Sequence, residues 1–201
     1  MKPVSVIPLL IGLAITGCKR QEPFEILQPP PTPSLQKLWQ VPDFTFTERS
    51  GNTVHRADLT GKVWVADFFY TTCPGPCPML SSRLSTTQEK LGNRADVRLV
   101  SISLDPAKDT PEVLQQYAER FKAGPNWMFL TGDKATTYSL VQTGFKLAVA
   151  EERNNPEPIT HSTKLVLIDR EGWVRGFYEG VGQDQTDQLI KDVDKLLGEK
   201  P

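Results

Sequence analysis

The stretch Val63-Trp64-Val65-Ala66-Asp67-Phe68-Phe69-Tyr70-Thr71-Thr72-Cys73-Pro74-Gly75-Pro76-Cys77-Pro78 decides the fold. Its first half is a nearly continuous apolar run between breakers, the pattern of a strand buried on both faces in a sheet covered by helices. Its second half sets two thiols with three residues between them, in a segment stiffened by Pro74, Pro76 and Pro78. From Met79 to Leu91 there is neither Pro nor Gly, and the run stops before Gly92, as a helix does. The thiols therefore sit where a central strand hands over to a helix, whose N-terminal dipole favours anions such as thiolates.

Outward from that hinge, the bulk numbers narrow the classes. The chain has 201 residues with 23 Lys+Arg against 24 Asp+Glu, so no basic stripe points to nucleic acid and no acidic run to a solvating tail. Of three cysteines, one is N-terminal and two lie in the hinge, which leaves none to staple a loop. At the start, Lys2 precedes a short apolar run, Val4 to Ile15, too short to span a bilayer comfortably. It ends in Ile15-Thr16-Gly17-Cys18, which resembles the bacterial lipoprotein signal, with Cys18 the acylated residue. Residues 1–17 are thus expected to be a lipoprotein-type signal peptide. Residues 18–40, with Pro29-Pro30-Pro31-Thr32-Pro33, are expected to be an extended tether on a lipid anchor. Residues 41–201 form one domain, outside the cytoplasm and on the periplasmic side in a Gram-negative cell. Thiols there oxidise unless a metal or a dedicated reductant holds them, so a retained pair invites a redox or metal explanation.

Along the domain, Phe44-Thr45-Phe46-Thr47, a turn at Ser50-Gly51-Asn52 and a return through Val54 predict an N-terminal hairpin. Val97 to Leu104 is a second core strand, stopped by Asp105-Pro106. Thr110 caps a helix with Pro111 at its first position. Trp127 to Leu130 is a third strand, Asp133 to Gln142 a helix, Phe145 to Ala150 extended, and Glu151 to Pro158 a polar loop. Lys164 to Asp169 and Val174 to Tyr178 form a hairpin around Arg170-Glu171-Gly172, and Asp184 to Leu197 is the closing helix. A strand followed by a Cys pair at a helix N-terminus, in this β-α-β…β-β-α order, is the thioredoxin-like α/β arrangement. A central mixed sheet flanked by helices is expected.

Pro78 disfavours helical geometry at Cys77, so Cys73 is expected in the loop and Cys77 near the helix cap. Their sulfurs can converge into a disulfide or onto a metal, and spacing does not choose. Of the two histidines, His55 reads as a solvated hairpin residue. His161, in the loop entering the strand Lys164 to Asp169, faces the cysteine pair in thioredoxin-like folds. Two thiolates and one imidazole form a soft, low-coordinate site that suits copper(I) and supports copper(II), whereas structural zinc wants a fourth ligand that is not in view.

The hinge from Asp67 to Pro78, together with Ser103-Leu104-Asp105-Pro106-Ala107-Lys108-Asp109-Thr110-Pro111 and His161-Ser162, resembles the Sco/SenC copper-binding proteins from about Phe44 onward. The resemblance implies a membrane-anchored, thioredoxin-folded protein that binds one copper per chain through Cys73, Cys77 and His161. It further implies a role in assembling the dinuclear copper centre of cytochrome c oxidase, as copper donor to its copper-receiving subunit or another copper protein, or as reductant of its cysteines. The runner-up is an extracytoplasmic thiol-disulfide oxidoreductase using the same Cys pair. Asp67, an acid within an apolar strand, resembles the buried acid of thioredoxins at the same offset and is a candidate to support the thiols. Asp105, at the end of a core strand, is a second candidate beside the metal. Asp109 reads as a helix-start residue beside the cap, and Met79 and Met128 as core.

Overall fold

The computed structural model describes residues 35–151 and 158–199. The signal peptide, Cys18, residues 18–34 of the tether and residues 152–157 of the polar loop lie outside the described residues.

A hairpin opens the domain: β1 (Thr45–Glu48) and β2 (Thr53–His55) pair antiparallel, with Thr45 opposite His55 and Thr47 opposite Thr53. Gly51, at φ +85°, supplies the left-handed residue of the connecting turn. A short 3-10 turn, Arg56–Leu59, leads into β3 (Val63–Phe69), in which all seven residues are buried. Next come α1 (Pro76–Leu91), β4 (Val97–Ser103), α2 (Pro111–Arg120) and β5 (Trp127–Thr131). α3 (Lys134–Ser139) runs on into a π-helical turn, Leu140–Gly144. β6 (Val149–Glu151) and β7 (Ile159–His161) pair with each other as a separate two-stranded ribbon. β8 (Lys164–Ile168), β9 (Val174–Glu179) and α4 (Thr186–Gly198) close the domain.

The main sheet has the order β2-β1-β5-β4-β3-β8-β9, with β3, β4 and β5 parallel and the other pairings antiparallel. It is the mixed, helix-flanked, thioredoxin-like sheet expected from the hinge. Its continuous apolar strands follow from coverage on both faces. Trp64 and Phe68 meet Phe145, beyond the π-helical turn, at 6.2 and 5.0 Å between ring centroids. On the opposite face, by alternation, Phe69 meets Tyr117 of α2 at 5.1 Å. α1 lies along α2 on that face, tied by Ser81 Oγ to Tyr117 Oη at 2.9 Å and by Ser85 Oγ to the Phe121 carbonyl at 3.0 Å.

Four local expectations change. α1 begins at Pro76, three residues before Met79, because the first-turn N–H groups need no partner and proline there removes nothing. The stretch Phe145 to Ala150 is extended only from Val149: Phe145 is helical and Lys146 sits at φ +54°. Ile159 to His161 is a strand rather than loop, because β6 supplies its partner in the register Val149–His161 and Glu151–Ile159. Met79 is 54 % exposed, since the buried face of α1 is Cys77, Leu80, Ser81 and Leu84, and Met79 falls between those positions.

Candidate metal centre

The parallel strands end together. The segment leaving β3 turns at once: the Cys73 N–H donates to the Tyr70 carbonyl at 3.2 Å, which places Cys73 in the loop ahead of α1. Cys77 is the second residue of α1, and both thiols are free and buried. The ribbon brings His161 to the same point. Sγ of Cys73, Sγ of Cys77 and a ring nitrogen of His161 all lie within 4.8 Å of one another, and among the described residues no other group of Cys, His, Asp and Glu clusters in this way. Two metal–sulfur bonds of about 2.3 Å end to end span about 4.6 Å, so the three donors stand at the separation one ion bridges.

The imidazole is already oriented. His161 Nδ1 lies 2.9 Å from the Ser162 carbonyl, which can only accept, so Nδ1 carries the proton. In the neutral ring the lone pair is therefore on Nε2, which faces Cys77 Sγ at 3.3 Å. The ring of Tyr70 meets His161 edge-on at 5.9 Å.

The two thiols differ in acidity. A hydrogen bond from Cys77 pulls the Cys73 thiol below its ordinary range. The Cys77 thiol is pushed up, first because it gives that hydrogen bond and then by burial. Sharing a proton between the two sulfurs of the pair thus favours the thiolate at Cys73 over that at Cys77.

Beneath it, Asp67 is fully buried. Burial raises its pKa to about 7, against the opposing effects of a hydrogen bond from Ser101 and of His161 nearby. Ser101 Oγ donates to Asp67 Oδ1 and accepts from Trp127 Nε1 at 2.9 Å, while Asp67 Oδ2 has no hydrogen-bond partner among the described residues. Asp105, the other carboxylate candidate, pairs with Lys108 at 3.2 Å and donates its N–H to Ser103 Oγ at 3.1 Å. His55 is exposed and bonded to Thr45 Oγ1 at 2.9 Å, apart from the cluster. Met128 is half-buried against the core.

Sequence reasoning missed one residue. Asp109 is fully buried, and its carboxylate accepts from the Thr71 N–H at 3.2 Å, from Thr71 Oγ1 and from Ser103 Oγ. Its burial pushes its pKa up, and the hydroxyls of Ser103 and Thr71 oppose that. Thr110 caps α2 as expected, its side chain accepting from the Val113 N–H. The available signal was redundancy: a helix already capped by Thr110 does not need a second capping acid.

The family model SCO1/SenC matches residues 33–198. The crystal structure of a SCO1/SenC family lipoprotein from Bacillus anthracis str. Ames is 33% identical, with a TM-score of 0.73, over 79% of this chain and 95% of that one. BsSco, a member of the Sco family of cytochrome c oxidase assembly proteins in which a disulfide switch was identified, is 32% identical, with a TM-score of 0.72, over 81% and 95%. Arabidopsis thaliana ScoI, crystallised with copper bound, is 25% identical, with a TM-score of 0.67, over 78% and 99%.

Proposed function

This chain belongs to the SCO1/SenC family, and from that premise we propose that it is an extracytoplasmic copper-binding protein of cytochrome c oxidase assembly. Cys73 and Cys77 as thiolates and His161 through Nε2 hold one copper per chain, as Cu(I) or Cu(II). The observation that carries this reading is the convergence of three soft donors with the imidazole lone pair already facing the sulfurs. Such a set suits copper, and a closed zinc site would want one more ligand. The copper-bound relative supports the same choice. Copper is cargo here: its recipient is the copper-receiving subunit of the oxidase or another copper protein.

The chain's own groups set the conditions for loading. Both sulfurs must be reduced, because a Cys73–Cys77 disulfide leaves no thiolate to bind. The anionic tendency of Cys73 makes it the first sulfur to engage, after which Cys77 must give up its proton. Asp67, with a pKa near neutrality on the same face of the sheet, serves as proton acceptor and store for that step. Asp105, two residues beyond the end of β4, is proposed to shape the surroundings of the metal. Acylated Cys18 anchors the tether of residues 18–40, so that the domain of residues 41–201 works at a membrane surface. The lipoprotein relative supports that placement.

The same cysteines support a second reading, thiol-disulfide exchange with extracytoplasmic partners, favoured by the lowered pKa of the Cys73 thiol and the buried Asp67. The test mixes the copper-loaded protein with the reduced, copper-free domain of the oxidase subunit that carries the dinuclear centre. Copper is followed by absorption as it changes ligands. Movement of copper to the recipient is expected. No movement, with the metal-free reduced protein instead reducing a disulfide in that domain, would transfer the role to the second reading.

A further inference from the structure

Asp109 has an unusual environment for an acid. It is fully buried, yet none of the side chains that bond it is a cation; its partners are the Thr71 N–H, Thr71 Oγ1 and Ser103 Oγ. Such a carboxylate costs stability unless its bonds are retained for another reason. Those bonds join three separate pieces of the fold. Thr71 is the second residue of the turn that closes from Cys73 N–H to Tyr70 carbonyl. Ser103 is the last residue of β4 and also accepts from the Asp105 N–H. Asp109 itself is fixed by its own N–H donating to the Asp105 carbonyl at 2.9 Å, immediately before the cap of α2.

We infer that Asp109 is a positioning residue for Cys73. Cys77 rides on a regular helix, whereas Cys73 sits in a loop ahead of it, where the turn bond to the Tyr70 carbonyl and the grip of Asp109 on Thr71 bear on the backbone that carries the thiol. By gripping Thr71 through both its N–H and its hydroxyl, Asp109 sets where the Cys73 sulfur stands relative to Cys77. It thereby sets how readily the two thiols join. A carboxylate suits the task because every group it meets presents a proton, and two oxygens are needed to receive them. Asparagine keeps one acceptor oxygen for the Thr71 N–H, and the two hydroxyls can rotate to meet its amide. Alanine leaves the Thr71 N–H with nothing to receive it.

This deepens the proposed function, since it concerns the same cysteines, but its test contains no copper and does not depend on that reading. The metal-free protein is equilibrated with mixtures of reduced and oxidised dithiothreitol, and the fraction of Cys73–Cys77 disulfide is measured by alkylation and mass. In each exchange the oxidised reagent takes two electrons and two protons from the thiols, so that one S–S bond forms as another opens. Loosening the turn lowers the effective concentration of one thiol at the other. Asp109→Ala is therefore expected to shift the equilibrium about tenfold toward the dithiol, which corresponds to about 30 mV. Asp109→Asn restores most of it. Thr71→Val, which removes only the hydroxyl arm, shifts it in the same direction by a smaller factor and serves if the alanine variant does not fold. Leu189→Ala, buried in α4, lowers stability in urea without moving the equilibrium. An equilibrium unchanged in both Asp109→Ala and Thr71→Val, or a shift matched by Leu189→Ala, overturns the assignment.

Discussion

Asp67 is where a single residue sets a measurable dependence of the whole protein on pH. In the unfolded chain it titrates as an ordinary aspartate, with a pKa of 3.8, and in the fold at about 7. The folded state thus holds the proton more tightly, so the stability contributed by Asp67 falls as pH rises between those two values and is lowest above 7. Asp67→Asn removes the titration. Urea unfolding of the reduced, metal-free protein should show the variant gaining on wild type between pH 5 and pH 8, by up to about 3 kcal/mol. An equal difference at the two pH values would mean that the carboxyl does not titrate in that range. Asp67 stood out in the sequence because an acid interrupted an apolar strand. Asp109 did not, because its partners Thr71 and Ser103 sit at the ends of two different strands and become neighbours only when β3 and β4 pair.

At the level of elements, the long periodic ones were readable and the short irregular ones were not. β3, β4 and α2 carry their own patterns: burial along the strand, β-branched residues, a Thr cap with Pro after it. The β6–β7 ribbon has three residues in each strand, too few for alternation to register, and each strand is defined only by the other. That ribbon ends beside a close backbone approach. The Gly180 N–H donates to the Thr163 carbonyl at 3.1 Å, and a Cβ on Gly180 would lie 2.3 Å from that carbonyl oxygen and 2.1 Å from Leu80 Cδ1. Leu80 can adjust, but the backbone of Thr163, two residues after His161, must move. Gly180→Ala is therefore expected to lower unfolding stability by about 2 kcal/mol or more and to weaken copper binding together with it. Wild-type stability in urea and unchanged copper affinity would show that the approach is not needed.

Across the whole molecule, the two ends of the sheet have separate tasks. The C-terminal ends of β3 and β4 and the start of β8 gather the thiols, the histidine and the carboxylates of Asp67 and Asp109. At the other end, where β8 finishes, Arg175 bonds Asp169 at 2.7 Å, Glu199 at 2.9 Å and the Leu35 carbonyl. The N-terminal end of the described residues is thus tied down at the end of the sheet away from the cysteines. The fold class and the three converging side chains were legible because the hinge motif fixes the topology, and the topology then brings the segment before β8 to the cysteines. The tilt of the imidazole was not legible, since it depends on the Ser162 carbonyl. The most direct measurement is titration of the reduced protein with copper(II), beside Cys73→Ser, Cys77→Ser and His161→Ala, following thiolate-to-copper charge-transfer absorption and metal content. The account predicts one copper per chain, lost with either cysteine and bound at least tenfold more weakly without His161. Copper bound equally well by the His161→Ala protein, or no tight copper in the reduced wild type, would contradict it.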